Sequence, residues 1–227
     1  MRVTIIQHSK SGHAGLIGDY LVERAGATLD VVRSDEGREL ALDDVRADAV
    51  VVMGSARGVY ETEIPWVMRQ RTLMREMVDE GVPVFGVCFG AQLLATALGG
   101  DVKPTGSFYL GWRGNEEPAE PIWQGPWLRW HGDHVSLPED VTVHARADGL
   151  VQAFQRGPAV GVQFHPEASA DMLDLWAVEA GLKGAFAEKA STASSHARED
   201  AVRLREEAYR LFDHVFGLLR GEKAAAP

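Results

Sequence analysis

Apolar and polar positions follow two rhythms along the chain. Val3 to Ile6 is a β-branched run, followed by the polar stretch QHSKSGH and then by apolar Leu16, Ile17, Tyr20 and Leu21. A short apolar run bounded by turn residues predicts a strand, and the i, i+4 recurrence after it predicts a helix. Leu29 to Val32 reads as a second strand, and Ala49 to Met53 as a third, wholly apolar in the manner of strands buried on both faces of a parallel sheet. Pro65 to Asp79 has a proline suited to a first helical turn and Val67, Met74 and Val78 in helical register. Pro83 to Val87 is again strand-like, and Gly90 to Leu98 reads as a helix closed by Gly99 and Gly100. This alternation predicts an α/β fold with a doubly wound, mostly parallel sheet, since the chain is short for a barrel.

After Asp101 the texture changes. Phe108 to Trp112, Val141 to Ala145, Val151 to Phe154 and Ala159 to Gln163 are short strand candidates separated by Gly, Pro and acidic loops, which predicts an antiparallel or mixed extension. Met172 to Ala180 reads as a short helix. The Ala/Ser-rich segment around Ser191 to Ser195 reads as a linker to a last amphipathic helix, with Ala201, Leu204, Ala208, Leu211, Phe212, Val215, Phe216 and Leu219 on one stripe. The expected division is therefore a domain over 1–183 and a linker plus helix over 184–227. That helix packs against the domain or against a second copy, as in a homodimer, and the closing GEKAAAP frays.

Composition narrows the class. Of 227 residues 45% are hydrophobic and 25% charged, enough for a real core and inconsistent with disorder as the dominant state. Lys and Arg number 23 against 33 Asp and Glu, a net charge of −10, which argues against a surface that neutralises nucleic-acid phosphates. Cys88 is the single cysteine, so no internal disulfide and no CxxC metal or redox pair exists. The opening MRVTIIQHS runs directly into a strand, and no apolar stretch is long enough for a bilayer, so a cytoplasmic protein without membrane contact is expected.

Two segments carry chemistry. In PVFGVCFGAQLLATALGG, Cys88 stands where a buried strand meets a helix, with Gly86 and Gly90 on either side. That is the nucleophile-elbow pattern with Cys in place of Ser, in which small flanks admit a sharp turn. The following helix N-terminus favours the thiolate, the reactive form; a cysteine that merely fills a core is the alternative. In GVQFHPEAS, His165 and Glu167 lie two apart, so an extended backbone points both to one side. Cysteine, histidine and carboxylate together make a generalised triad; a histidine capping a strand end is the alternative for His165.

The pairing of GVCFGAQ with QFHPE resembles the class I, triad-type glutamine amidotransferases. IPWVMRQRTLMREMVDEGVPVFGVCFGAQLLATALGG and WHGDHVSLPEDVTV extend the similarity to the stand-alone, GMP synthase-like members over nearly the full length. The resemblance implies a flavodoxin-like sheet and hydrolysis of glutamine to glutamate and ammonia without a cofactor. Cys88 would be the nucleophile, His165 the general base and acid, and Glu167 its orienting partner. Gln92 and Gly54 match substrate-side positions, and Gly132 and Asp133 fall where the family receives the substrate's α-groups. The backbone N–H of Phe89 and one from the loop after Ala49 to Met53, at Ser55, would form the oxyanion hole. That loop departs from the family's glycine pair and proline, reading Gly54, Ser55, Ala56, and a serine at positive φ would cost about 1–2 kcal/mol. Tyr109 is a second departure, where the family more often has an acid.

The chain has no synthetase domain, so ammonia would pass to a separate acceptor enzyme; alternatively the enzyme acts alone on a γ-glutamyl amide. A third reading is a binding module with Cys88 as a sensor thiol. His131, Asp133, His134 and His165 suggest a metal cluster around Cys88, but without the second ligand pair of a closed zinc site no metal is expected. GSARG lacks the spacing and lysine of a phosphate loop.

Overall fold

The structure, a computed structural model, describes residues 1–37 and 40–222; the expectation of a frayed end falls largely on 223–227, outside the described residues. Strands β1 (Arg2–Gln7), β2 (Thr28–Arg33), β3 (Ala49–Val52) and β4 (Val84–Val87) alternate with helices α1 (Gly15–Glu23), α2 (Pro65–Asp79) and α3 (Phe89–Ala97). Then come β5 (Asp101–Arg113), β6 (Glu117–Pro118), β7 (Trp127–Ser136), β8 (Thr142–Ala147), β9 (Leu150–Arg156), β10 (Ala159–Val162), α4 (Ala170–Glu179), α5 (Ala185–Glu199) and α6 (Ala201–Leu219). The main sheet has the order β2-β1-β3-β4-β10-β9-β8-β6, parallel as far as β10 and antiparallel beyond it. β5 and β7 form a separate antiparallel ribbon. This is the expected flavodoxin-like α/β sheet with an antiparallel extension and a C-terminal helix.

Strand periodicity of two builds a core on each face. Val3, Ile5, Val51, Phe85, Val87 and Val160 point to one side, where α1 and α6 supply Tyr20, Leu21, Phe212, Val215 and Phe216. Ile6, Val50, Val52 and Val84 point to the other, against Leu73 and Met74 of α2 and Phe89 and Leu94 of α3. Phe85 lies 6.5 Å from Phe212 and 6.2 Å from Phe216, ring to ring, so the stripe of α6 covers this chain's own sheet. Burying each such side chain contributes about 1.5–3 kcal/mol.

Three elements differ from expectation. The ribbon strand β5 is far longer than Phe108 to Trp112. β7 occupies a stretch read as a loop, because Arg129 and His131, polar residues, take buried positions and break the apolar alternation that would signal a strand. Arg129 is held there by the side-chain oxygen of Asn115. The Ala/Ser-rich linker is helical: Ala190, Ala193, Ser194 and Ala197 form a buried stripe at i, i+3, i+4 and i+7 on α5. Alanine has the best helix propensity, and its small side chain lets α5 approach the ribbon, where Trp112 Nε1 donates to the carbonyl of Ala193 at 3.0 Å.

Candidate active site

The site lies at the carboxyl ends of β1, β3, β4 and β10, the crevice where open α/β sheets bind ligands. Cys88 separates β4 from α3 at φ 50°, ψ −103°, and only it and Asp148 among the described non-glycine residues have positive φ. A bulky residue in such a conformation costs about 1–3 kcal/mol and persists where the surroundings dictate it. They do: the Cys88 N–H donates to Val162 O at 2.8 Å, tying the turn to β10. A Cβ on Gly86 would lie 2.6 Å from Gly90 backbone, and one on Gly90 would lie 2.0 Å from Val52 O. The N–H of Phe89 opens α3, and first-turn N–H groups have no partner within their helix.

His165 follows β10 and is bound to the ribbon by its N–H, which donates to Leu128 O at 2.9 Å. Its Nδ1 lies 2.8 Å from Glu167 Oε1, and both side chains are buried. A carboxylate partner makes Nδ1 the protonated nitrogen and leaves Nε2 for chemistry. Burial alone pushes the imidazole's pKa down, but the charges of Glu167 and then Cys88, with their hydrogen bonds, outweigh it and raise the pKa to about 10. Glu167 is fixed in turn by its carbonyl, which accepts from Leu16 N at 3.0 Å. Gly15 at φ +46° makes that approach feasible, since a Cβ there would meet Glu167 O at 2.3 Å.

Gly54 packs edge-on to this pair: a Cβ would stand 3.2 Å from His165 Cε1 and 3.7 Å from Cys88 Cβ. Ser55 is not among the residues with positive φ, so the strain anticipated for serine in this loop does not arise. Its hydroxyl accepts from Arg57 N at 3.0 Å, stabilising the turn locally. Behind the loop, buried His8 directs Nδ1 to Gly54 O at 3.3 Å and packs on Trp66 and Phe89 at ring separations of 5.3 and 4.9 Å. A carbonyl only accepts, so this nitrogen donates. Burial, opposed chiefly by the Gly54 bond, lowers the His8 pKa to about 4 and keeps the ring neutral.

Gln163, the last of the residues packed around the sulfur, donates from Nε2 to Cys88 Sγ at 3.5 Å and accepts at Oε1 from Gln92 Nε2 at 3.3 Å. Gln92 is thus buried behind the sulfur and not in the open cavity. Gly132 and Asp133 lie on β7, also off the cavity wall; Asp133 accepts from Tyr60 OH at 3.3 Å, and burial raises its pKa. His131 sits on the same strand with Nδ1 3.0 Å from Asp133 O and its ring stacked 5.4 Å from Tyr109, and burial lowers its pKa to about 3. Among the described residues no group of three or more His, Cys, Asp or Glu is arranged to hold a metal.

A cavity of about 290 Å³ opens onto Cys88, His165 and Glu167 and is walled by Gly54, Ser55, Trp130, Trp176 and Glu179. Trp176 meets His165 edge-to-face at 4.9 Å and Trp130 at 5.6 Å. The sequence alone assigns no role to His8, Gln163, Trp176 or Glu179. A signal existed for two pairs: Gln163 and His165 lie two apart, as His165 and Glu167 do, and Trp176 and Glu179 share a helix face at i, i+3.

The glutamine amidotransferase class-I family model matches residues 13–180, which take in Cys88, His165 and Glu167. The chain belongs to this family. The expectation of a C–N-hydrolysing amidotransferase enzyme rests on that membership. The chain is similar to GMP synthase (glutamine-hydrolyzing) of Streptomyces avermitilis, 36% identical over an alignment of 136 residues that covers 52% of this chain and 24% of that one. The corresponding protein of Corynebacterium glutamicum is 37% identical over 138 residues, 55% of this chain and 25% of that one. The chain thus spans about a quarter of the length of these relatives. Among solved structures, a glutamine amido transferase from Methylobacillus flagellatus superposes with a TM-score of 0.83 at 25% identity, covering 100% of this chain and 97% of that one. One from Thermotoga maritima, at 23% identity and TM-score 0.79 over 95% and 98% of the two chains, shares the fold. No helix among the described residues is long and apolar enough to cross a membrane.

Proposed function

We propose that this amidotransferase hydrolyses the side-chain amide of glutamine through a γ-glutamyl thioester on Cys88 and that the ammonia goes to a separate acceptor enzyme. The observation that carries the reading is the buried His165–Glu167 contact of 2.8 Å beside a cysteine in an elbow. The Cys88 thiolate attacks the amide carbon, and the electron pair of the carbonyl moves onto oxygen. That oxyanion takes N–H donors from Phe89 and Ser55. The imidazolium of His165 gives its Nε2 proton to the amide nitrogen, the C–N bond breaks, and ammonia leaves. Water then adds to the thioester carbon while Nε2 takes its proton, the C–S bond breaks, and glutamate departs. Glu167 holds the ring's tautomer and stabilises the imidazolium throughout.

Gly54 allows this approach by having no side chain. Gln163 holds the sulfur and is itself held by Gln92, while Gly132 and Asp133 receive the substrate's amino-acid head at the Tyr60 side. The acceptor enzyme is inferred from the glutamine-hydrolysing relatives, of which the chain matches only a part. Acid quenching of the protein during turnover, followed by peptide mass spectrometry, tests the intermediate. A γ-glutamyl adduct on the peptide containing Cys88 is expected; turnover with no such adduct would refute the thioester.

A further inference from the structure

The cavity wall opposite the elbow carries chemistry that hydrolysis of a simple amide does not use. α4 ends at Glu179, and that helix end has no basic residue in its last turn. Unpaired helix carbonyls already make a C-terminus negative, and lysine or arginine is favoured there. Glu179 is exposed at that helix end, where a carboxylate is mildly disfavoured and a bound cation would relieve the repulsion. Among the described residues Glu179 has no ion-pair partner; its Oε2 accepts from the Ser11 hydroxyl. Ser11 is tied to the same helix one turn earlier, its carbonyl accepting from Trp176 Nε1 at 3.0 Å. Trp130 and Trp176 line the same cavity, and indole rings attract cations.

The lining also tells which end of a substrate belongs here. An amino-acid head brings a carboxylate with its ammonium, yet among the described residues no Lys or Arg lines the cavity; neighbouring Arg57 is exposed and paired with Glu61 at 3.4 Å. A lone ammonium suits two indoles and a carboxylate; a zwitterion does not. We propose that Glu179, Trp130 and Trp176 form a subsite for a positively charged leaving amine, so that the protein takes γ-glutamyl amides of diamines. The reaction balances as hydrolysis: the amide C–N bond breaks, water supplies OH to the glutamyl carbon and H to the amine, and the distal ammonium stays on Glu179. This rests on the hydrolase reading above and adds a substrate class to it.

The test compares three substrates, L-glutamine, γ-glutamylputrescine and its neutral isostere γ-glutamylpentylamide, in the wild type and in Glu179→Gln. The expected result is a higher kcat/KM for the putrescine amide than for the pentyl amide. Glu179→Gln should lower the putrescine value at least about tenfold more than the glutamine value, as for loss of one charge-assisted contact. Calorimetry of the putrescine amide on Cys88→Ala, with and without Glu179→Gln, reads the same subsite without turnover. Equal losses on all three substrates would place the cation on the amino-acid head and overturn the proposal, as would no loss in both turnover and calorimetry. Cys88-dependent turnover of glutamine together with a putrescine value that ignores Glu179 would sink this inference alone. Turnover of none of the three by the wild type would sink the hydrolase reading, and calorimetry would still decide the subsite.

Discussion

The imidazole of His8 reaches the carbonyl of Gly54 at 3.3 Å while its ring packs against Phe89 at 4.9 Å. The Gly54 carbonyl and the Ser55 N–H belong to one planar peptide and point in opposite directions. Holding the oxygen therefore directs the N–H the opposite way, as the proposed oxyanion role of Ser55 requires, and the same ring packs on Phe89, the second proposed donor.

Replacing His8 by Phe keeps the aromatic packing and removes the donor. Loss of an oxyanion donor outright costs about 100- to 1,000-fold in rate; a donor that is only released from its guide should cost about 10- to 100-fold in kcat, with KM changed by less than about threefold. Steady-state kinetics on glutamine read the split. A raised KM with kcat intact would remove His8 from the positioning of this loop.

Glu167→Gln removes the first of the two charges that raise the His165 pKa. The imidazole should then titrate below about 10, visible by NMR of its ring protons, and kcat should fall by about 100-fold or more because the tautomer is no longer held. An unmoved titration would show that Cys88 alone sets the histidine's charge.

Gly90→Ala and Gly54→Ala separate folding from chemistry. A Cβ at Gly90 would be 2.0 Å from Val52 O, a backbone atom that has no side-chain freedom to move aside, so destabilisation of about 3 kcal/mol or more is expected in urea unfolding. At Gly54 the nearest atom would be His165 Cε1 at 3.2 Å, and kcat should fall with stability reduced by less than about 1 kcal/mol. The reverse ranking would mean that the elbow tolerates a wider strand–helix gap.

Stability should peak near pH 6.5. His8 and His131 are held at about 4 and about 3, so below 6.5 the unfolded chain binds protons that the folded chain does not. Their contribution is complete above 6.5 and falls with pH, by at most about 1.4 kcal/mol per pH unit for each. His165, raised to about 10, acts oppositely: its contribution is complete below 6.5 and is lost as pH rises toward 10. Urea midpoints across this range measure both limbs, and His8→Phe should flatten the acid one. A flat profile would contradict the assigned charge states.

The parallel half of the sheet was legible because each strand is a short apolar run closed by a turn, and Pro65–Asp79 matched its helix to the residue. The elbow was legible because Gly86 and Gly90 are written around Cys88 in one continuous segment. The ribbon strand β7 was not, since Arg129 and His131 are buried by tertiary partners such as Asn115 that no local pattern announces. α5 was hidden by its alanines and serines, whose burial depends on how closely β5 and α4 approach. His8 and Glu179 lie far apart along the chain, and only the fold sets one behind the Gly54 loop and the other on the cavity wall.

If Cys88 is the nucleophile, it alone accounts for ammonia release from glutamine. Glutamate and ammonia should be measured together, from L-glutamine, with the purified protein and with Cys88→Ala. Equimolar release that disappears in the variant is the predicted result. Release that survives the loss of the sulfur, or no release together with no labelling of Cys88 by a glutamine-like chloroketone, would contradict the account.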